Sequence, residues 1–147
     1  MADWDARFVF LAQHIGSWSK DRSQGIGAVI AGPNHEIRSV GYNGFPRGVN
    51  DEVDERHERP EKYFWTEHSE RNAIFNAARV GTPLEGCTIY CSWFPCIDCA
   101  RAIVQCGIIR VVVRAVNMNH EKYKGEFERA EVLFKEAGVE LAIHEVD

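Results

Sequence analysis

Apolar positions near the start of the chain follow the spacing of a helix. The side chains that recur at alternating steps of four and three residues are Trp4, Phe8, Leu11, Ile15 and Trp18. Because residues at these steps fall on one face of an α-helix, the pattern predicts an opening helix with an apolar stripe. We expect this stripe to be buried in the core.

Two short β-branched runs follow this helix. "GIGAVIAG" (25–32) leads into the turn sequence "GPN", and "EIRSVGYNG" (36–44) begins shortly after it. Two such runs separated by a turn predict a pair of antiparallel strands. Residues 45–65 lack apolar periodicity and contain acids and prolines. They are predicted to form a long surface loop, of the kind that serves as a lid or binding loop or is locally disordered.

The second half of the chain alternates helical and extended patterns. Thr66 as N-cap and Gly81 as terminator predict one helix, and Pro95 with Gly107 predicts another. The remaining predicted elements are strands at 87–93, 108–116 and 139–146 and a helix at 125–138. This order predicts a single α/β domain over residues 1–147, a three-layer α/β/α sandwich with a five-stranded mixed sheet.

Composition and charge narrow the classes of protein. The chain has 147 residues, 45% hydrophobic and 27% charged, as in an ordinary globular domain. Its apolar runs are too short to span a membrane, and "MADWDARF" has acids where a secretion signal needs a basic start. We therefore expect a cytoplasmic protein with no membrane partner. The formal net charge of -5 argues against binding to long nucleic acid, which needs a basic face.

Three residues at predicted helix starts have the chemistry of metal ligands. Cys96 and Cys99 lie one turn apart near Pro95, and His68 lies close to Thr66. Two helix N-termini directed at one point favour thiolates, because their positive field lowers the pKa of a thiol. One nitrogen and two sulfur ligands leave a tetrahedral position open, which is typical of a catalytic zinc site whose bound water titrates near neutral pH.

Glu70, two residues after His68, is the predicted proton carrier for this site. It is close enough to take a proton from water and return it to the substrate's ring nitrogen and then to the departing amine. "HSE" (68–70) followed by "PCIDC" (95–99) matches the H-x-E…P-C-x-x-C signature of zinc-dependent deaminases of cytosine and adenine bases.

The cysteines also admit less specific interpretations. A redox pair is the alternative for C-x-x-C, but it gives no reason for His-x-Glu at a second helix start. Buried thiols that fill space are the default for Cys87, Cys91 and Cys106. Cys91 is notable among them because its predicted strand leads directly into the metal loop.

With these motifs in view, the chain resembles the deoxycytidylate (dCMP) deaminase family of the cytidine deaminase-like superfamily. "SKDRSQGIGAVI", "GYNGFPRG" (41–48) and "EHSERNAIFNAA" are the stretches that carry the resemblance. The zinc motifs alone would also fit transfer-RNA adenosine, riboflavin-pathway and free-nucleoside deaminases, and "GYNGFPRG" narrows the choice. The resemblance implies zinc-dependent conversion of dCMP to dUMP and ammonia.

The resemblance also implies roles for residues outside the metal motifs. Asn43 is expected to contact the sugar or base of the substrate. Candidates for the 5′-phosphate are Arg22, Arg47, Arg114 and Lys122, and Tyr123 is a candidate for closing the pocket. In regulated members the G-Y-N-G loop shapes a site where dCTP activates and dTTP inhibits, with Mg²⁺ as a companion of the triphosphate. The matching residues here are Gly41, Tyr42, Asn43 and Gly44.

The sequence departs from the family pattern at several positions. Ser69 stands where alanine is common, Arg22 replaces a common proline, and 49–65 lacks the extra ligands of a second zinc. Family members often form hexamers, so we expect a homo-oligomer. The alternatives are a deaminase acting on transfer RNA or single-stranded nucleic acid, and a nucleotide-sensing module with a structural zinc.

Overall fold

The structure, a computed structural model, describes residues 3–116 and 123–145. In chain order its elements are α1 (Trp4–Gly16), β1 (Gly27–Ala31), β2 (Ile37–Tyr42), a 3-10 helix (Asp54–His57), α2 (Lys62–Trp65), α3 (Ser69–Val80), β3 (Thr88–Cys91), α4 (Ile97–Gln105), β4 (Arg110–Arg114), α5 (Lys124–Ala137) and β5 (Glu140–His144). Within the described ranges, no helix is both long and apolar enough to cross a membrane.

The strands form one mixed sheet in the order β2-β1-β3-β4-β5. β1 pairs antiparallel with both β2 and β3, whereas β3, β4 and β5 run parallel to one another. Parallel neighbours need a crossover connection, and α4 and α5 supply the two that are required here. The predicted five-stranded mixed sheet is therefore confirmed.

Helices cover both faces of this sheet. Successive strand residues point to opposite faces, so Val29 of β1 packs with α1 while its neighbour Ile30 packs on the other side. That second face carries α3, α4 and α5, whose buried contacts include Ala73, Ile103 and Phe127. The three-layer α/β/α sandwich predicted from the sequence is confirmed, with one helix on one face and three on the other.

The apolar stripe of α1 is shorter than the spacing predicted. Phe8 and Ile15 are buried, but the end members Trp4 and Trp18 are 37% and 54% exposed. The reason at the second end is that α1 stops at Gly16, where a β-carbon would lie 2.9 Å from the backbone nitrogen of Gly27. Trp18 lies beyond the helix, so the prediction of a fully buried stripe is wrong at its ends.

The segment 45–65 is more ordered than the sequence pattern predicted. It contains the 3-10 helix and α2, and the guanidinium of Arg56 lies 3.8 Å from the ring centroid of Trp65. Turns this short have no room for a repeating apolar pattern, so periodicity does not reveal them.

The start of α3 is also shifted from the prediction. Residue 67 is held extended by an isolated bridge to Gly44, through hydrogen bonds of 3.0 and 2.8 Å. The helix therefore begins at Ser69, with His68 rather than Thr66 at the N-cap position. His68 therefore lies immediately before the first turn of α3 and not within it.

Candidate active site

His68 and Glu70 are placed by the close packing of α3 on strand β2. Gly41 of β2 has so little room that a β-carbon there would lie 2.4 Å from the nitrogen of Ala73 and 2.5 Å from the carbonyl oxygen of Ser69. Only a glycine allows this approach, which brings the first turn of α3 against the sheet. Glu70 is buried as a result, at 4% exposure.

Cys96 and Cys99 are placed by the N-terminus of α4. Cys96 is the N-cap residue, and its sulfur accepts a hydrogen bond from the backbone N–H of Cys99 at 3.4 Å. This is the bond that Ser or Asp makes at most helix starts, and it satisfies one of the helix's unpaired donors. Cys99 lies in the first turn and is fully buried.

These two helix starts bring the three predicted ligands together. His68 Nδ1 lies 3.3 Å from Cys96 Sγ and 3.4 Å from Cys99 Sγ. Bond lengths of about 2.0 Å to nitrogen and about 2.3 Å to sulfur at tetrahedral angles place such atoms about 3.5 Å apart. The donor set and its spacing therefore fit zinc, with His68, Cys96 and Cys99 as the residues that would hold it.

Of the three ligand side chains, only Cys96 is already in the form that binds a metal, because the pKa values of His68 and Cys99 are raised. Hydrogen bonds from Cys99 and His68 lower the pKa of Cys96 to about 4, against a smaller opposing effect of burial. The same thiolate raises the pKa of His68 to about 9. The Cys96 sulfur is thus an anion at neutral pH, which is the form that binds zinc.

Glu70 lies beside the three ligands with its carboxylate fixed. The hydroxyl of Ser69 donates a hydrogen bond of 2.7 Å to Glu70 Oε1. Burial raises the pKa of Glu70, while the Ser69 hydroxyl opposes that rise. A carboxyl group whose pKa is raised in this way is suited to accept and return a proton near neutral pH.

A cavity of about 510 Å³ opens in front of this group. His68, Glu70 and Cys96 line it, together with an aromatic wall. The members of that wall are Tyr63, Trp93, Phe94, Tyr123 and Phe127. A volume of this size is typical of a site for a small organic molecule.

The structure brings two of the predicted substrate-binding residues to this cavity. Asn43 and Tyr123 line it. Asn43 is buried and already tied to the segment before β1, because its Oδ1 accepts from the N–H of Ile26 at 2.8 Å and its Nδ2 donates to the carbonyl of Gln24 at 2.9 Å. It therefore shapes the wall of the cavity as well as facing it.

The described residues predicted to contact the 5′-phosphate lie away from this cavity. Arg22 pairs with Asp54 at 3.0 Å and Arg47 donates to Asn76 at 2.8 Å, each on the surface. Neither these two nor Arg114 is among the described residues that line the cavity. Lys122 falls outside the described residues. In this conformation none of the three described phosphate candidates lines the cavity.

The G-Y-N-G residues lie between the main cavity and a smaller one of about 140 Å³. Tyr42, Asn43 and Gly44 line the smaller cavity, whereas Gly41 is buried against α3. Asn43 borders both cavities. The stretch therefore has a packing role at Gly41 and an open face at Tyr42.

Sequence reasoning missed the charged pair at the edge of the main cavity. Lys62 Nζ lies 3.2 Å from Asp21 Oδ2, with the two side chains only 10% and 9% exposed, and both residues line the cavity. The signal available in the sequence was weak, because Lys62 lies in the aperiodic segment and its partner is 41 residues away.

Comparison with known proteins identifies the family to which this chain belongs. Residues 2–115 match the model of the "Cytidine and deoxycytidylate deaminase zinc-binding region". The chain belongs to the cytidine and deoxycytidylate deaminase family. The family's zinc-binding region and the His68, Cys96 and Cys99 group together support zinc as the metal.

Two curated members of the family align over most of this chain. An uncharacterized deaminase from the luxG 3' region of Aliivibrio fischeri is 43% identical over 142 residues, covering 96% of this chain and 93% of the relative. Human deoxycytidylate deaminase is 34% identical over 144 residues, covering 93% of this chain and 77% of the relative. The resemblance identified from the motifs is therefore confirmed at the level of the family.

Solved structures share the fold. The dCMP deaminase of cyanophage S-TIM5, crystallised with dCMP and dUMP, superposes with a TM-score of 0.77 at 22% identity, covering 95% of both chains. A transfer-RNA A34 deaminase superposes less closely, with a TM-score of 0.57 at 19% identity and 96% and 98% coverage. These likenesses establish the cytidine deaminase-like architecture.

Proposed function

We propose that this protein is a zinc-dependent hydrolase that converts dCMP and water to dUMP and ammonia. The observation that carries the proposal is the group of His68, Cys96 and Cys99 beside the buried Glu70 at the wall of a nucleotide-sized cavity. Relatives at 34% identity over nearly the whole chain that are named deoxycytidylate deaminases support the same substrate.

The metal and the protein divide the chemistry. A zinc ion with three protein ligands supplies Lewis-acid activation of water at neutral pH. Glu70 would accept one proton from the attacking water and deliver it to the ring nitrogen. It would then pass the second water proton, from the hydroxyl added at C4, to the amino group, which leaves as ammonia as the C4 carbonyl forms. The Ser69 hydroxyl holds Glu70 Oε1 in one orientation, so the carboxylate need not reorganise during transfer.

The aromatic wall and Asn43 supply the proposed contacts to the substrate. The flat faces of Trp93 and Phe127 give a pyrimidine ring an apolar surface, and Asn43 offers an amide that both donates and accepts. Asn43 and Tyr123 are the sequence-predicted contacts that we retain in this proposal.

Ammonia release by purified protein of known zinc content tests the function. The substrates are dCMP, CMP, deoxycytidine and a cytosine-containing oligonucleotide. Turnover of dCMP well above the others is expected. Turnover of only the oligonucleotide, or of transfer RNA in a follow-up assay, would replace the proposal by a nucleic-acid deaminase. Zinc at one per chain with every substrate intact would favour a sensing module.

Regulation and assembly form a second layer of the proposal. The position of Tyr42 and Gly44 at the smaller cavity supports an effector site for dCTP and dTTP, with Mg²⁺ bound to the triphosphate. Rates of dCMP turnover with each triphosphate, with and without Mg²⁺, test this. A homo-oligomer, hexameric by resemblance, and a cytoplasmic location also stay predictions, and light scattering during size-exclusion chromatography tests the first.

A further inference from the structure

One end of the main cavity carries a cation that the proposed chemistry does not use. The described lysine and arginine residues lining the cavity are Arg59 and Lys62. Arg59 is exposed and donates to the hydroxyl of Tyr63 at 2.8 Å, whereas Lys62 is only 8% exposed. Because water and salt screen an exposed charge far more than a buried one, Lys62 provides the stronger attraction for an anion in the cavity.

Lys62 is held in place by a carboxylate that is itself fixed. Asp21 Oδ1 accepts hydrogen bonds from the backbone N–H groups of Ser23 and Gln24 at 2.9 and 3.1 Å. Burial alone raises the pKa of Asp21, but these N–H groups and Lys62 outweigh it, so the pKa lies below its usual value. Asp21 is therefore ionised at neutral pH and anchors the Lys62 ammonium.

The Lys62 ammonium keeps bonding capacity for a ligand. It has three N–H donors, and the carboxylate of Asp21 takes at most two of them, through Oδ1 at 3.3 Å and Oδ2 at 3.2 Å. A phosphate oxygen in the cavity would accept such a donor in a charge-assisted hydrogen bond, which is stronger than a bond between neutral groups.

The other charges of the cavity make this cation decisive. Asp21, Glu70, Asp98 and Glu126 all line it. Ion pairs with Lys62 and Arg101 offset two of these charges, and the other two carboxyl groups disfavour a phosphate dianion unless a cation offsets them. A neutral nucleoside meets no such repulsion, so the cation matters only for a phosphorylated substrate.

We propose that Lys62, positioned by Asp21, contacts the 5′-phosphate and selects a nucleotide over the free nucleoside. This assignment rests on the proposed deamination of dCMP. It replaces the surface arginines suggested by the sequence with a residue inside the cavity. Lys62 is the contact residue, and Asp21 is a positioning residue that acts through it.

The test compares phosphorylated and unphosphorylated ligands on matched variants of the full-length, zinc-loaded protein. The variants are Lys62→Met, Lys62→Arg, the pair Asp21→Asn with Lys62→Met, and the control Lys135→Met on the exposed side of α5. Steady-state kinetics use dCMP and deoxycytidine, and calorimetry measures the binding of dUMP and deoxyuridine. Thermal unfolding of each variant shows whether it is folded.

Loss of one charge-assisted contact sets the expected result. Lys62→Met should raise KM for dCMP and weaken dUMP binding by about tenfold or more. Its effect on deoxycytidine turnover and deoxyuridine binding should stay within about threefold, since no charge-assisted contact to these ligands is lost. Lys62→Arg should recover most of the dUMP affinity, and Lys135→Met should match the parent. The paired variant removes both charges, so it loses phosphate selectivity without leaving a buried carboxylate unpaired.

Several outcomes would overturn the assignment. Equal losses for dCMP and deoxycytidine would show a structural role for Lys62, and a folded paired variant with parental dUMP affinity would show that the phosphate binds elsewhere. Failure of the proposed function looks different: the parent then turns over no dCMP, while the comparison of dUMP with deoxyuridine still decides the role of Lys62. A parent that binds neither ligand would reject both proposals.

Discussion

The first turns of α3 and α4 and the segment 45–65 contribute to one cavity by different means. Glu70 and the proposed metal ligands lie at the starts of two helices, so the residue types that mark each of them stand close together in the sequence. Lys62 is held by Asp21, 41 residues away. Functional residues that stand close together in the sequence form a recognisable motif, whereas a contact between distant segments does not. The sequence therefore shows the residues of the proposed chemistry, but it does not show the charged pair of Lys62 and Asp21 at the cavity.

Substitution of Glu70 should have the greatest effect on activity. Glu70→Gln keeps the shape and the hydrogen bond from Ser69 but cannot accept the proton, so turnover of dCMP should fall by about 10²–10⁴-fold. Zinc content and the unfolding temperature should match the parent. The exposed Glu131→Gln is the matched control and should keep full activity. Activity above about one hundredth of the parent would remove Glu70 from the proton transfer.

The next largest effect is expected at Gly41, where strand β2 approaches α3. A β-carbon at Gly41 meets backbone atoms at 2.4 and 2.5 Å, whereas one at Gly44 meets nothing within 4 Å. Gly41→Ala should lower the free energy of unfolding by about 1–3 kcal/mol, because backbone cannot move aside as a side chain can. Gly44→Ala should change it by less than about 0.5 kcal/mol.

Urea denaturation of both variants at one pH measures the difference. Glu70 lies in the first turn of α3, which packs against Gly41. Turnover of dCMP by Gly41→Ala is therefore expected to fall along with the stability of the variant. Equal stability of the two alanine variants would show that α3 shifts without cost, and would weaken the account of how the motif helix is placed.

The smallest effect concerns the pH dependence of stability at Asp21. Its folded pKa lies below the usual value, so the ion pair contributes stability that is present above about pH 4 and lost as pH falls through the folded pKa. The difference in unfolding free energy between the parent and Asp21→Asn should be constant from pH 7 to about 5 and shrink in more acid solution.

Asp5 provides a matched comparison for this acid transition. The hydrogen bonds from Arg110 lower its pKa also, and that pair joins α1 to β4 away from the cavity. The difference in unfolding free energy between the parent and Asp5→Asn should also shrink as the solution becomes more acid. Limited proteolysis within 45–65 at neutral pH should increase in Asp21→Asn alone. Equal cleavage in both variants would show that the Asp21–Lys62 pair does not hold the segment.

Local patterns in the sequence predict the helices and strands and the candidate reactive groups. Alternation of β-branched strands with helical patterns gave the five-stranded mixed sheet, because periodicity is a local property of the chain. The metal motifs were equally readable, since a ligand at a helix start needs only the residues of that turn. Short helices such as α2 were not predicted, because four residues are too few to show a helical period.

The tertiary structure alone decided which charges face the cavity. Arg22 and Arg47 had the right charge for a phosphate, but folding directs them to Asp54 and Asn76. Lys62 had no distinguishing pattern, and folding buries it against Asp21. A long side chain can reach partners in many directions, so its partner is fixed by the packing of distant segments and not by the residues beside it.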